Sequence, residues 1–229
     1  DHSQQTVCQP CRSATLTVAT AIRCRNFAER GFLRTFVAGA PYPLRDAGPK
    51  YTCKHAVKMD FLSLAKKRYA CRQYLDRKVE AEKLAAILEA GRVAPTGANY
   101  QPQRLIVIES KEGMERLAHC TRDFGAPLAI IVCADTSAAW TRKYDSKMIG
   151  DIDASIVTDH MMLEAAAQGL DTLWVCMFKP EAVRAEFNLP DEVVPVNILI
   201  VGYGAGEAPS PERHASTRKP LSETVFYES

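Results

Sequence analysis

Apolar positions recur with two different periods along residues 59–229. Leu84, Ile87, Leu88 and Gly91 fall at i, i+3, i+4 and i+7, which predicts a helix with one apolar stripe and one close-packed position. Residues 60–67 (DFLSLAKK) read as a short amphipathic helix before it, and residues 77–82 lead into it. Pro95 and Gly97 break the pattern with a turn. Short unbroken apolar runs at 105–108 (LIVI) and 128–133 (LAIIVC) predict buried strands, with a helix over 112–120 between them. Residues 152–168 form the longest helical stretch and are apolar around most of its circumference, so that helix belongs in the interior or in a subunit interface. Gly169 closes it as a C′ glycine. A third strand follows at 172–176, a helix with proline in its first turn at 180–187, and a fourth strand at 196–201. Alternating helices and strands indicate an α+β or α/β domain. Gly202, Gly204 and Gly206 lack the G-x-G-x-x-G spacing and precede no helix, so they read as an irregular strand exit.

Composition narrows the class. The 229 residues are 47% hydrophobic and 24% charged, which suits a globular chain and excludes collagen, long coiled coil and wholesale disorder. No stretch approaches the ~20 apolar residues of a membrane span. The formal charge of +2 hides an asymmetry. Residues 1–58 carry nine Lys/Arg against three Asp/Glu, whereas residues 59–229 carry twenty against twenty-four. A basic extension therefore precedes a mildly acidic domain. Cys71, Cys120, Cys133 and Cys176 show no pairing pattern, which reads as reduced thiols in a cytoplasmic protein.

Residues 1–58 show no period. They are rich in Arg, Ser and Thr and poor in acids, and they read as a leader, an extension or translated upstream sequence, poorly ordered or outside the native protein, with Met59 as a natural start. Cys8-x-x-Cys11 has the spacing of half a zinc site, with Cys24, Cys53, His2 or His55 as partners, but no second close pair completes it. The basic arm lacks the aromatic interleaving of a nucleic-acid module. No metal is assigned to the domain.

Three stretches carry candidate chemistry. The first is 66–74 (KKRYACRQY), where Arg68 and Arg72 are spaced to reach one anionic group through bidentate guanidinium contacts. The second is 94–102 (APTGANYQP), a turn-forming loop in which Asn99 and Gln101 offer donors and acceptors to a planar ligand. The third is 216–227, where Arg218 and Lys219 precede an extended segment, so that cations from both ends of the domain converge on a phosphate. His160, inside the apolar helix, reads as a packed, hydrogen-bonded residue.

Taken in order, these stretches carry a resemblance. Residues 67–74 resemble the R-R-S-x-R-x-F opening of the nitroreductase family of FMN flavoproteins, and 95–102 (PTGANYQP) its P-T-x-x-N-x-Q-P loop. Residues 151–157 (DIDASIV) are similar to the opening of its central helix, 169–178 (GLDTLWVCMF) to its G-L-G-x-x-W-x-x-x-F strand, and 218–225 (RKPLSETV) to its closing R-K-P-L-E-E-x-V. The match spans essentially all of residues 59–229 and none of 1–58. It implies an α+β sandwich, with a mostly antiparallel central sheet flanked by helices, that forms a homodimer with FMN at the interface. By the motifs, Arg68, Arg72, Arg218 and Lys219 hold the phosphate, and Tyr69 and Ala70 add backbone contacts, Ala70 standing where the family has Ser. Pro95, Thr96 and Gly97 approach the flavin from the partner chain, with Asn99 and Gln101 at its polar edge. Cys176 and Met177 lie near flavin N5 and contribute backbone N–H groups. The resemblance also implies a ping-pong hydride mechanism, in which NAD(P)H reduces the flavin and a nitroaromatic, quinone or similar planar acceptor reoxidises it. The loop 140–144 (WTRKY) is a candidate lid. Two alternatives stay open. One is other flavin chemistry on the same fold: dehalogenation, enoyl-type reduction or flavin fragmentation. The other is a metal- or nucleic-acid-binding protein led by the N-terminal segment.

Overall fold

A computed structural model describes residues 60–228; the N-terminal basic segment and its Cys8–Cys11 pair lie outside the described residues. Helix α1 (Phe61–Lys67) starts at Asp60, whose carboxylate accepts from the Ser63 N–H at 3.0 Å and so satisfies one of the free donors of the first turn. Helix α2 (Ala81–Val93) buries Leu84, Ile87 and Gly91, the stripe its period predicts. Strand β1 (Gln103–Ile108), helix α3 (Lys111–Cys120) and strand β2 (Leu128–Asp135) follow, then helix α4 (Gly150–Ala167). Strand β3 (Asp171–Val175), helix α5 (Pro180–Phe187) and strand β4 (Val193–Gly202) complete the framework, before a short helix α6 (His214–Thr217). Gly169 terminates α4 with φ of +75°, a conformation that costs glycine nothing.

The four strands form one sheet in the order β1-β2-β4-β3, and every neighbouring pair is antiparallel. All eight residues of β2 are buried because both sheet faces are covered. Alternation then sorts its side chains between two cores. Leu128, Ile130, Val132 and Ala134 join Ile87, Val157 and Met161 of α2 and α4. Ala129, Ile131 and Cys133 join Leu117 and Val183 of α3 and α5. The result is a three-layer α+β sandwich. Pro195 lies within β4, at the register shift between Val132 and Cys133 and beyond the end of β3, where a missing N–H breaks no ladder on that side. Helices α2 and α4 touch closely: a Cβ on Gly91 would lie 2.9 Å from Cγ of Met161. Among the described residues, no helix is long and apolar enough to cross a membrane, and no cluster of His, Cys, Asp and Glu is placed to hold a metal ion.

Candidate functional site

The end of α1 and the C-terminal segment meet. Arg68 caps α1 and turns the chain into an extended run that lies beside β3 and β4, with a parallel bridge between Ala70 and Thr172 and an antiparallel one between Tyr74 and Gly204. Arg213, far away in sequence, donates to the carbonyls of Lys66 (3.1 Å), Arg68 (2.6 Å) and Ser210 (3.0 Å). His214 Nε2 lies 3.1 Å from the Lys66 carbonyl and so donates to it. These bonds bring Arg218 close enough for its charge to act on Arg68. Burial lowers the proton affinity of Arg68, the cations of Arg213 and Arg218 lower it further, and Asp159 opposes them. None of the three guanidinium groups pairs with a carboxylate among the described residues. Three like charges held together repel, and an anion of charge −2 would relieve that repulsion. Lys219 is exposed and sits 3.8 Å from Glu223.

Arg68 and Tyr69 line a small cavity of about 190 Å³ together with Asp171. Asp171 Oδ2 accepts from the Gly204 N–H at 3.0 Å. A Cβ on Gly204 would lie 2.6 Å from that oxygen and 2.8 Å from the Tyr69 hydroxyl, so the strand exit has room only for glycine. Arg72 does not share this cavity. The run from 69 to 74 is extended rather than helical, and four extended residues carry Arg72 to a different cleft of about 550 Å³. Cys176, Met177 and the aromatic rings of Phe124, Trp174 and Phe178 line that cleft. Cys176 and Met177 follow the last paired residues of β3, Val175 with Ile198, and both are exposed.

The loop after α2 is strained and anchored. Ala98, Asn99 and Gln101 have φ of +48°, +59° and +53°, a left-handed region that only asparagine among them tolerates readily. The Gly97 N–H donates to Asp153 Oδ1 at 2.8 Å, and the Gln101 N–H donates to the Thr96 hydroxyl at 3.1 Å. Asp153 is fully buried in the first turn of α4, and its second oxygen has no partner. A Cβ on Gly97 would lie 2.5 Å from Ile149 Cδ1, so the loop backbone rests directly on the start of α4. Asn99 and Gln101 are exposed. None of Pro95, Thr96, Gly97, Asn99 or Gln101 lines the cavity of Arg68 or the cleft of Arg72 in the same chain. The 140–144 segment forms a hairpin bridged between Thr141 and Met148, with Tyr144 fully exposed at its tip.

A family model described as the Nitroreductase family matches residues 65–124 and 119–203. The chain belongs to the Nitroreductase family. A crystal structure of a nitroreductase family protein from Clostridium difficile 630 is 57% identical, with a TM-score of 0.74 over 75% of this chain and 99% of that one. An FMN-dependent nitroreductase from Clostridium difficile R20291 is 27% identical, with a TM-score of 0.60 over 72% of this chain and 98% of that one. An FMN reductase [NAD(P)H] from Bacillus subtilis is 26% identical over 58% of this chain and 61% of its own length.

Within this Nitroreductase-family fold, the two ends of the domain meet through Arg213, and sequence reasoning missed two participants. Arg213 ties the ends together; its signal was only its place five residues before Arg218. Asp153 stood inside the 151–157 motif without a role, and the structure gives it one as the acceptor that holds Gly97. His160 directs Nδ1 to the Ile156 carbonyl at 2.9 Å, as a packed helix residue does.

Proposed function

We propose that this chain binds FMN and works as an NAD(P)H-dependent oxidoreductase on nitroaromatic, quinone or similar planar acceptors. The observation that carries the reading is the meeting of Arg68, Arg213 and Arg218, three cations without carboxylate partners. Such a cluster fits a terminal phosphate, and the names of FMN-dependent relatives agree with it. Arg68 and Arg218 hold the phosphate, with Lys219 at the rim; Arg213 holds its two neighbours in place through the Lys66 and Arg68 carbonyls. Tyr69 lines the approach, and the Ala70 backbone bridges to Thr172 beside it. Arg72, with the backbone of Cys176 and Met177, faces the ring end of the cofactor. When bound there, FMN would supply two-electron hydride chemistry between a nicotinamide donor and the acceptor.

The remaining contacts come from a second copy of the chain. The loop 95–101 presents Asn99 and Gln101 outward, away from the cavities of its own subunit, which is the arrangement a shared site requires. Ile152 and Ile156 of α4 and the half-buried Trp174 line an open face suited to that second copy. The absorbance spectrum of the purified protein tests the reading: flavin bands released on denaturation support it, and a preparation that stays colourless with excess FMN overturns it. Arg68→Ala and Arg218→Ala each lower FMN affinity by about one to two orders of magnitude, the worth of a charge-assisted contact. Unchanged affinity in both variants refutes the phosphate assignment.

A further inference from the structure

The 550 Å³ cleft at the end of β3, whose Arg72 and Cys176–Met177 are read above as the ring end of the flavin site, is also lined by two cations that this reading does not use, Arg122 and Lys179. Three cations line it, Arg72, Arg122 and Lys179, and no Asp or Glu does. Three other cavities among the described residues differ: the one at Arg68 includes Asp171, and two along α4 include Asp159. None of the three cations forms an ion pair among the described residues. Asp123 accepts from the Gly125 N–H at 3.1 Å, and Glu186 faces His119 at 2.8 Å and Arg116 at 3.7 Å.

The cations stand on a firm frame. The Thr121 hydroxyl donates to the Met177 carbonyl at 2.9 Å, and the Lys179 N–H donates to the Cys120 carbonyl at 3.0 Å. These two bonds lash the end of α3 to the segment after β3, so Arg122 and Lys179 share one rim. The Arg122 guanidinium lies 4.9 Å over the ring of Phe124. Below the rim, Phe124, Trp174 and Phe178 provide flat apolar surface. Rings at the base and unpaired cations at the mouth complement a flat aromatic molecule that carries a negative group at one end.

We propose that this cleft selects planar aromatic acceptors bearing an anionic substituent, with Arg122 and Lys179 as specificity-determining residues. The inference rests on the reading of the Cys176–Met177 segment as the ring end of the flavin site. Its test does not depend on turnover. Calorimetric titration of the oxidised, purified chain without reductant compares para-nitrobenzoate with para-nitrobenzamide, which match in size and differ in charge. The carboxylate binds about tenfold more tightly, and added salt narrows the gap. In the Arg122→Gln/Lys179→Gln double variant the preference falls to about twofold or less. Both residues are exposed, so the exchange leaves the core intact. Equal affinities in the wild type, or a preference that survives in the double variant, overturn the proposal. Failure of the flavin reading is visible separately, as a colourless protein.

Discussion

Single residues in this chain hold distant segments together. Glu80 precedes α2 and accepts from the Tyr203 hydroxyl at the end of β4, while Arg77 donates to its other oxygen at 2.8 Å. Lys83 adds bonds to the Tyr203 hydroxyl and the Gln168 carbonyl. The Tyr203 hydrogen bond first, then a hydrogen bond to its own backbone and the Arg77 bond, lower the Glu80 carboxyl to about 2 from an ordinary 4.5. A depressed carboxyl adds stability above its unfolded value and loses it as pH falls through the folded value. The Tm difference between wild type and Glu80→Gln is therefore full above about pH 4.5 and shrinks toward pH 2 in thermal melts. Asp153 anchors the 97–101 loop through its bond from the Gly97 N–H. Asp153→Ala removes the acceptor of the Gly97 N–H and costs about 1–3 kcal/mol in denaturant unfolding. It also releases the left-handed turn at Ala98 and Asn99, so FMN affinity falls with stability.

At the scale of elements, period and chain breakers carried most of the information. Pro180–Phe187 is observed with the bounds its proline and apolar spacing predict, and the remaining helices and strands shift by a few residues at their ends. Strand ends moved most: β4 begins at Val193, three residues before the apolar run at 196, because pairing with β2 continues past Pro195. A strand's limits depend on its partner's backbone, which no local pattern encodes. Helix α3 shows the energetic side. Leu117 is fully buried in the core it shares with Ile131 of β2 and Val183 of α5. Leu117→Ala lowers unfolding free energy by about 2–5 kcal/mol in urea titration, since the sandwich cannot collapse into the space left behind.

For the whole molecule, the open side of α4 is the informative surface. The helix is apolar around most of its circumference, yet it buries one side against α2 and the sheet and leaves Ile152 41% exposed. Phe226 and Tyr227 are 86% and 90% exposed near the C-terminus. A second copy covering these surfaces would explain both. If the proposed shared site is correct, Ile156→Asp shifts the protein toward monomer in analytical ultracentrifugation and lowers FMN retention in parallel. Residues 59–229 expressed alone give a folded protein that still takes up FMN, read by circular dichroism and flavin absorbance.

The sequence by itself determined the elements and the family, because helical and strand periods, proline and glycine positions and ordered motifs are local properties of the chain. It also announced that cations lie at both ends of the domain. The tertiary structure alone decided which of them meet. Arg68 and Arg72 are close in sequence but line different cavities, because an extended run separates side chains that a helix would stack. Arg213 and Arg218 are remote in sequence yet act on Arg68, because hydrogen bonds to the Lys66 and Arg68 carbonyls close the chain upon itself. Distance through space is set by packing and pairing between segments, and no period within one segment records it.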